Sequence, residues 1–155
     1  MEKTLLLEEI ENFILYHNQQ NLQLDYFIEG IIDNEKRVIL DIGECEMQRW
    51  LYKRKLILDK IYNTINMKQL HGYHEGWHES FEKIAIILEI KECNKSFLDR
   101  IRGKNRTKEL YQKEKDKVDV YLDELQEYNR LINTKLSMMK QRLIAMPLKV
   151  FNENI

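Results

Sequence analysis

Apolar residues recur at helical spacing along most of the chain. From about residue 4 to 32 they fall at Leu6, Ile10, Phe13, Ile14, Leu24, Phe27, Ile28 and Ile31. This is the three-and-four rhythm of one buried helical face. Thr4 is placed to cap that helix, and Glu8 and Glu9 suit its first turns. A second helix is predicted over about 44–66, following Gly43, with Met47, Trp50, Leu51, Ile57, Leu58 and Ile61 in phase. A third, about 67–92, places Leu70, His74, Trp77, His78, Phe81, Ile84, Ala85 and Leu88 on one face. Cys93-Asn94 and then Ser96 look like a stop followed by a new cap, and the period lapses around Gly103-Lys104-Asn105. The last predicted helix is the longest, about 107–145, carrying Leu110, Tyr111, Val118, Tyr121, Leu122, Leu125, Tyr128, Ile132, Leu136, Met139 and Leu143. Pro147 ends it.

Four helices with short connections predict an all-α protein, an up-down four-helix bundle with a long C-terminal helix. Residues 1–146 read as one domain and 147–155 as a tail. Composition agrees: one Pro and five Gly among 155 residues leave too few breakers for a β-sandwich or a doubly wound α/β fold. Hydrophobic residues at 43% suffice for a core, and the composition disfavours a disordered chain. No run of 18 apolar residues suggests a membrane span. The first residues are too acidic for a signal peptide, and two cysteines are too few for a disulfide framework, so a cytoplasmic location is expected. Lys and Arg total 25 against 26 Asp and Glu, which gives no general reason to expect nucleic acid or an anionic membrane as partner. The local basic run Arg100–Lys108 reads as a solvated loop or helix end.

The chemistry concentrates in the histidines. Three of the four lie in His71-Gly72-Tyr73-His74-Glu75-Gly76-Trp77-His78. His74 and His78 are one turn apart on one face, a spacing at which two imidazoles can share a metal ion. His17 lies seven residues after Ile10 and seven before Leu24, on the buried stripe of the first helix. Cys45 opens the second helix. A bundle can bring all four to one point, and three imidazoles with one thiolate fill a tetrahedral zinc site. Each member also has a plainer reading. A histidine on an apolar face is usually a hydrogen-bonded core residue, and a free cysteine is usually a small buried hydrophobe. On spacing alone, a metal site and a set of core residues fit about equally well.

His17, then Cys45-Glu46-Met47-Gln48-Arg49-Trp50-Leu51, then His74-Glu75-Gly76-Trp77-His78 resembles the bacterial chemoreceptor zinc-binding (CZB) domain family. The resemblance extends over about 10–140, with motif content in 17–78. Gln48 stands where the family usually has Gly, and Gln19 where an aromatic often follows the His. The resemblance implies a cytoplasmic, homodimeric, four-helix sensor that holds zinc through His17, Cys45, His74 and His78. It also implies regulation of a partner through zinc occupancy or oxidation of the cysteine. No catalytic or signalling module is recognisable besides the bundle, so a stand-alone version would act through an unidentified protein partner or through its last helix.

Two other classes remain. His74-Glu75-x-x-His78 is a literal zincin motif, in which Glu75 would be the general base of a small metallohydrolase and Glu89 or Glu92 a third ligand. Substrate in that class is commonly held along a strand edge, and no strand is predicted here. Di-iron readings lack ligands: Glu75-x-x-His78 is half of the ferritin-like pattern, and the hemerythrin set needs five His where four exist. The third class is a metal-free helical interaction protein whose long last helix pairs with another chain. His71 stands beside the motif as a spare imidazole.

Overall fold

The computed structural model describes residues 3–28, 42–87 and 112–154. All regular structure among them is helical: α1 (Lys3–Ile28), a 3-10 turn (Ile42–Glu44), α2 (Glu46–Lys53), α3 (Lys55–Tyr62), α4 (Thr64–Ile87), α5 (Gln112–Ala145) and α6 (Leu148–Asn154). The fold is all-α, as the breaker-poor composition predicts. Glu89, Glu92 and the basic run Arg100–Lys108 lie outside the described residues, as do the predicted ends of the first and third helices and the start of the last.

Cross-helix contacts set the directions. Ser80 bonds Glu124, and Lys135 bonds Asn66 and Gln69, so α4 and α5 run antiparallel. Lys3 bonds the carbonyls of Ile144 and Met146, Lys140 pairs with Glu11, and Asn129 and Asn133 both donate to Asn18. α1 is therefore antiparallel to α5 as well. The Lys3 ammonium caps carbonyls at the negative end of α5, where a cation is favoured. Glu9 meets Trp50 and Arg54, and His74 meets Cys45 and Gln48, so α2 and α3 descend between α1 and α4. The result is an up-down-up-down bundle whose second member is broken.

The frame is a heptad seam. On α4 the buried residues Met67, Leu70, His74, Trp77, Phe81 and Ile84 alternate by three and four positions. On α5, Val118, Leu125, Ile132 and Met139 repeat every seven, with Leu136 and Leu143 interleaved. A 3.5-residue period keeps both stripes facing along the whole contact. Gly76 lies on this seam. A Cβ there would stand 2.5–2.8 Å from the Tyr128 ring, so glycine lets α5 approach closely. A Cβ on Gly72, one turn earlier, would meet nothing within 4 Å, so that glycine supports no such approach among the described residues.

The second helix differs from its prediction. Instead of running unbroken over 44–66, the chain kinks at Arg54 (φ −98°, ψ 3°) and stops at Asn63. No Gly or Pro marks Arg54. The break coincides with a tertiary contact, in which its guanidinium donates two hydrogen bonds, 3.0 and 2.5 Å, to the Glu9 carboxylate on α1. Trp50 Nε1 donates to the same carboxylate at 2.8 Å. This pairing holds Glu9 below its ordinary carboxylate value against the opposing effect of burial. Asn63 takes a positive φ of 68°, uncommon for a non-glycine residue, and its Oδ1 accepts the Asn66 N–H at 2.9 Å. That bond caps the third helix, which begins at Thr64, earlier than predicted. After Pro147 the chain turns into α6, and the buried Phe151 brings this segment to the core beside α3.

The two glycines give a stability test. Gly72→Ala should stabilise the protein by about 1 kcal/mol, the helix-propensity difference. Gly76→Ala should lose that gain and fall below wild type, because the Tyr128 ring must leave its seat. Urea denaturation of the two variants side by side measures the difference.

Candidate metal centre

His17 comes from the middle of α1, Cys45 from the N-cap of α2, and His74 and His78 from successive turns of α4. All four are buried: His17 and His74 at 0%, Cys45 at 1% and His78 at 5% exposure. The heptad seam explains His74, which falls in the phase of Met67 and Phe81, and His78 follows one turn later beside Trp77. The extended backbone of Cys45 (φ −66°, ψ 123°) starts α2 and turns the residue into the bundle.

The structure brings three of the four predicted ligands together. One donor atom each from His17, Cys45 and His74 lie within 4.8 Å of one another, an arrangement able to hold a metal ion. Cys45 Sγ is 3.3 Å from His74 Nε2. A tetrahedral zinc with bonds of ~2.3 Å to sulfur and ~2.0 Å to nitrogen has an S···N edge of about 3.5 Å, so this pair already matches. His78 lies beside the triad rather than within it. Its ring centroid is 4.7 Å from that of His74 and 6.5 Å from that of His17. Trp77 closes one side, with its ring 4.9 Å from His17 and 5.0 Å from His78.

His17 is the anomaly of the site. Among the described residues neither Nδ1 nor Nε2 has a hydrogen-bond partner, although the residue is completely buried. A neutral imidazole carries one donor and one acceptor, and leaving them unmet costs free energy. Burial first, then the neighbouring His78, pushes the His17 pKa down to about 3. Burial first, then the other histidines, pushes His74 to about 2. Both are therefore neutral at pH 7, as a metal ligand must be. Burial raises the Cys45 thiol, and the backbone N–H groups of Gln48 and Met47 oppose that shift. Burial also raises Tyr16, to about 12; its hydroxyl is near enough to feel Cys45 but makes no hydrogen bond of good geometry.

The sequence does not single out Gln48 as a working residue. It is 8% exposed, and its Oε1 is 3.0 Å from His74 Nδ1. Its signal is a polar residue in the buried phase of α2, one turn after Cys45. Glu75, by contrast, is exposed on the far side of α4. His71 is half-buried and stands against Tyr52, with ring centroids 6.0 Å apart, away from the triad. No family model, curated protein or solved structure matches the chain.

Two outcomes are expected of the metal-free protein. The unfolded chain protonates its histidines near 6.5, whereas the folded state keeps His17 and His74 neutral to about 3 and about 2. Their contribution to stability is thus fully present above about pH 6.5 and is lost as the pH falls from there toward 3. The slope should approach about 1.4 kcal/mol per pH unit for each imidazole. Urea titrations of chelator-treated protein across this range measure it, and a flat profile contradicts neutral buried imidazoles. Replacing His17 by Leu should raise metal-free stability by about 1–3 kcal/mol, because it removes an unsatisfied polar group.

Proposed function

We propose that the protein is a zinc-binding regulatory module in which His17, Cys45, His74 and His78 hold the ion. The observation that carries this reading is the fully buried His17, with neither ring nitrogen partnered, within ligand distance of Cys45 and His74. A metal bond gives one of those nitrogens the partner that the described residues do not supply. The donor set favours zinc, which accepts imidazole and thiolate together in a tetrahedron. A modest movement of the His78 ring from its place beside His74 would supply the fourth donor.

Four protein donors leave no open coordination position, and such closed sites serve structure or regulation. The ligands come from α1, α2 and α4, so occupancy sets how these helices pack. That coupling is how metal state reaches a second copy of the chain or another protein. Cys45 also makes the site responsive to oxidants, because converting its thiolate to sulfenic acid weakens one of four donors. A metallohydrolase needs a general base beside an open metal position, and the exposure of Glu75 argues against that role.

Protein purified without a histidine tag should carry one zinc per chain by elemental analysis. His17→Ala and Cys45→Ala should lose it, and Glu75→Gln should keep it. Zinc at a hundred times its Kd should stabilise the wild type by about 2.7 kcal/mol. Folded wild type that takes up no zinc, or a Glu75→Gln variant that loses it, would count against this reading.

A further inference from the structure

We infer that Gln48 is the positioning residue of the metal site: its side-chain oxygen accepts the Nδ1–H of His74 and thereby leaves Nε2 as the donor facing Cys45. This rests on the zinc-binding reading above. The geometry is in place along one line of contacts. Gln48 Oε1 is 3.0 Å from Nδ1 on one side of the ring, and Cys45 Sγ is 3.3 Å from Nε2 on the other. With the proton on Nδ1, the Nε2 lone pair points at the sulfur, where it can accept the S–H or face a metal shared with it. The opposite tautomer would put an N–H in the position a ligand lone pair must occupy.

Ligating histidines generally need this outer bond to fix tautomer and ring orientation. Here Gln48 comes from the same turn of α2 that supplies Cys45. One short helix and its N-cap therefore supply both the sulfur ligand and the group that aims the nitrogen ligand beside it. A glutamine does so without burying a charge, which at 8% exposure would be costly unless paired. His17 has no hydrogen-bond partner of this kind, and His78 lies beside the triad. Gln48 thus acts on the one imidazole that already faces the thiol.

Zinc affinity, measured by competition with a chromogenic chelator, should fall by about 10–100-fold in Gln48→Leu and be retained in Gln48→Glu, which keeps the acceptor. Long-range proton–nitrogen spectra of the zinc-loaded wild type should show His74 with its proton on Nδ1 and the metal on Nε2. A purely structural role would move neither that signature nor its loss in Gln48→Leu. Metal on Nδ1, or equal affinity in wild type and Gln48→Leu, overturns the inference while leaving the zinc site standing. Wild type that binds no zinc removes the site itself, and the inference with it. If Gln48→Leu fails to fold, the wild-type spectrum and Gln48→Glu decide.

Discussion

A neutral imidazole always presents one N–H and one lone pair, and inside a protein both need a partner. At His17 the described residues supply neither, though the side chain is completely buried. The surrounding groups are arranged as if for a third party. Cys45 and His74 stand within ligand distance, and Trp77 covers the adjacent ring face. An apolar residue in the His17 position would make a simpler core. Retaining the imidazole costs stability in the metal-free chain, a cost that a bound ion, as proposed above, would offset.

Keeping such a group buried requires stiff walls. The seam between α4 and α5 provides one, with its heptad stripes and the close approach over Gly76. It fixes His74 in the same register as Met67 and Phe81, so the donor cannot drift without moving the core. The opposite wall is built differently. α2 and α3 are eight residues each, too short to be stable alone, and Glu9 of α1 ties them through Trp50 and Arg54.

Much of this was legible in the amino-acid pattern. The phases of α1, α4 and α5 follow from their apolar spacing, and the same spacing places His17, His74 and His78 indoors. Scarcity of Pro and Gly pointed to helices; of the two glycines among the histidines, both suited by type to a close helix approach, only Gly76 makes one. Other features have no local signature. The kink at Arg54 arises with an ion pair to a residue 45 positions away. Asn63 ends one helix and caps the next at a place where the apolar rhythm barely changes. Phe151 reaches the core only because α6 turns back after Pro147. Periodicity also put His74 and His78 on one face without revealing that His78 stays outside the converged triad. Gln48 drew notice in the sequence only as a departure from the family pattern, because its contact with His74 depends on how α2 meets α4.

The clamp on Glu9 has a consequence for time rather than for affinity. A hydrated ion cannot reach a completely buried imidazole unless part of the wall swings aside. Opening the α4–α5 wall breaks a long heptad seam, whereas α2 is only eight residues and meets α1 through the Glu9 carboxylate and the Phe13–Trp50 ring contact. In the zinc-binding reading proposed above, the bonds from Trp50 and Arg54 to Glu9 would act as a latch on the wall that an entering ion must pass. Loosening that latch, far from any ligand atom, would leave the occupied state's coordination unchanged and shorten its lifetime. If zinc occupies the site as proposed, its residence time would depend on a salt bridge that does not touch the ion.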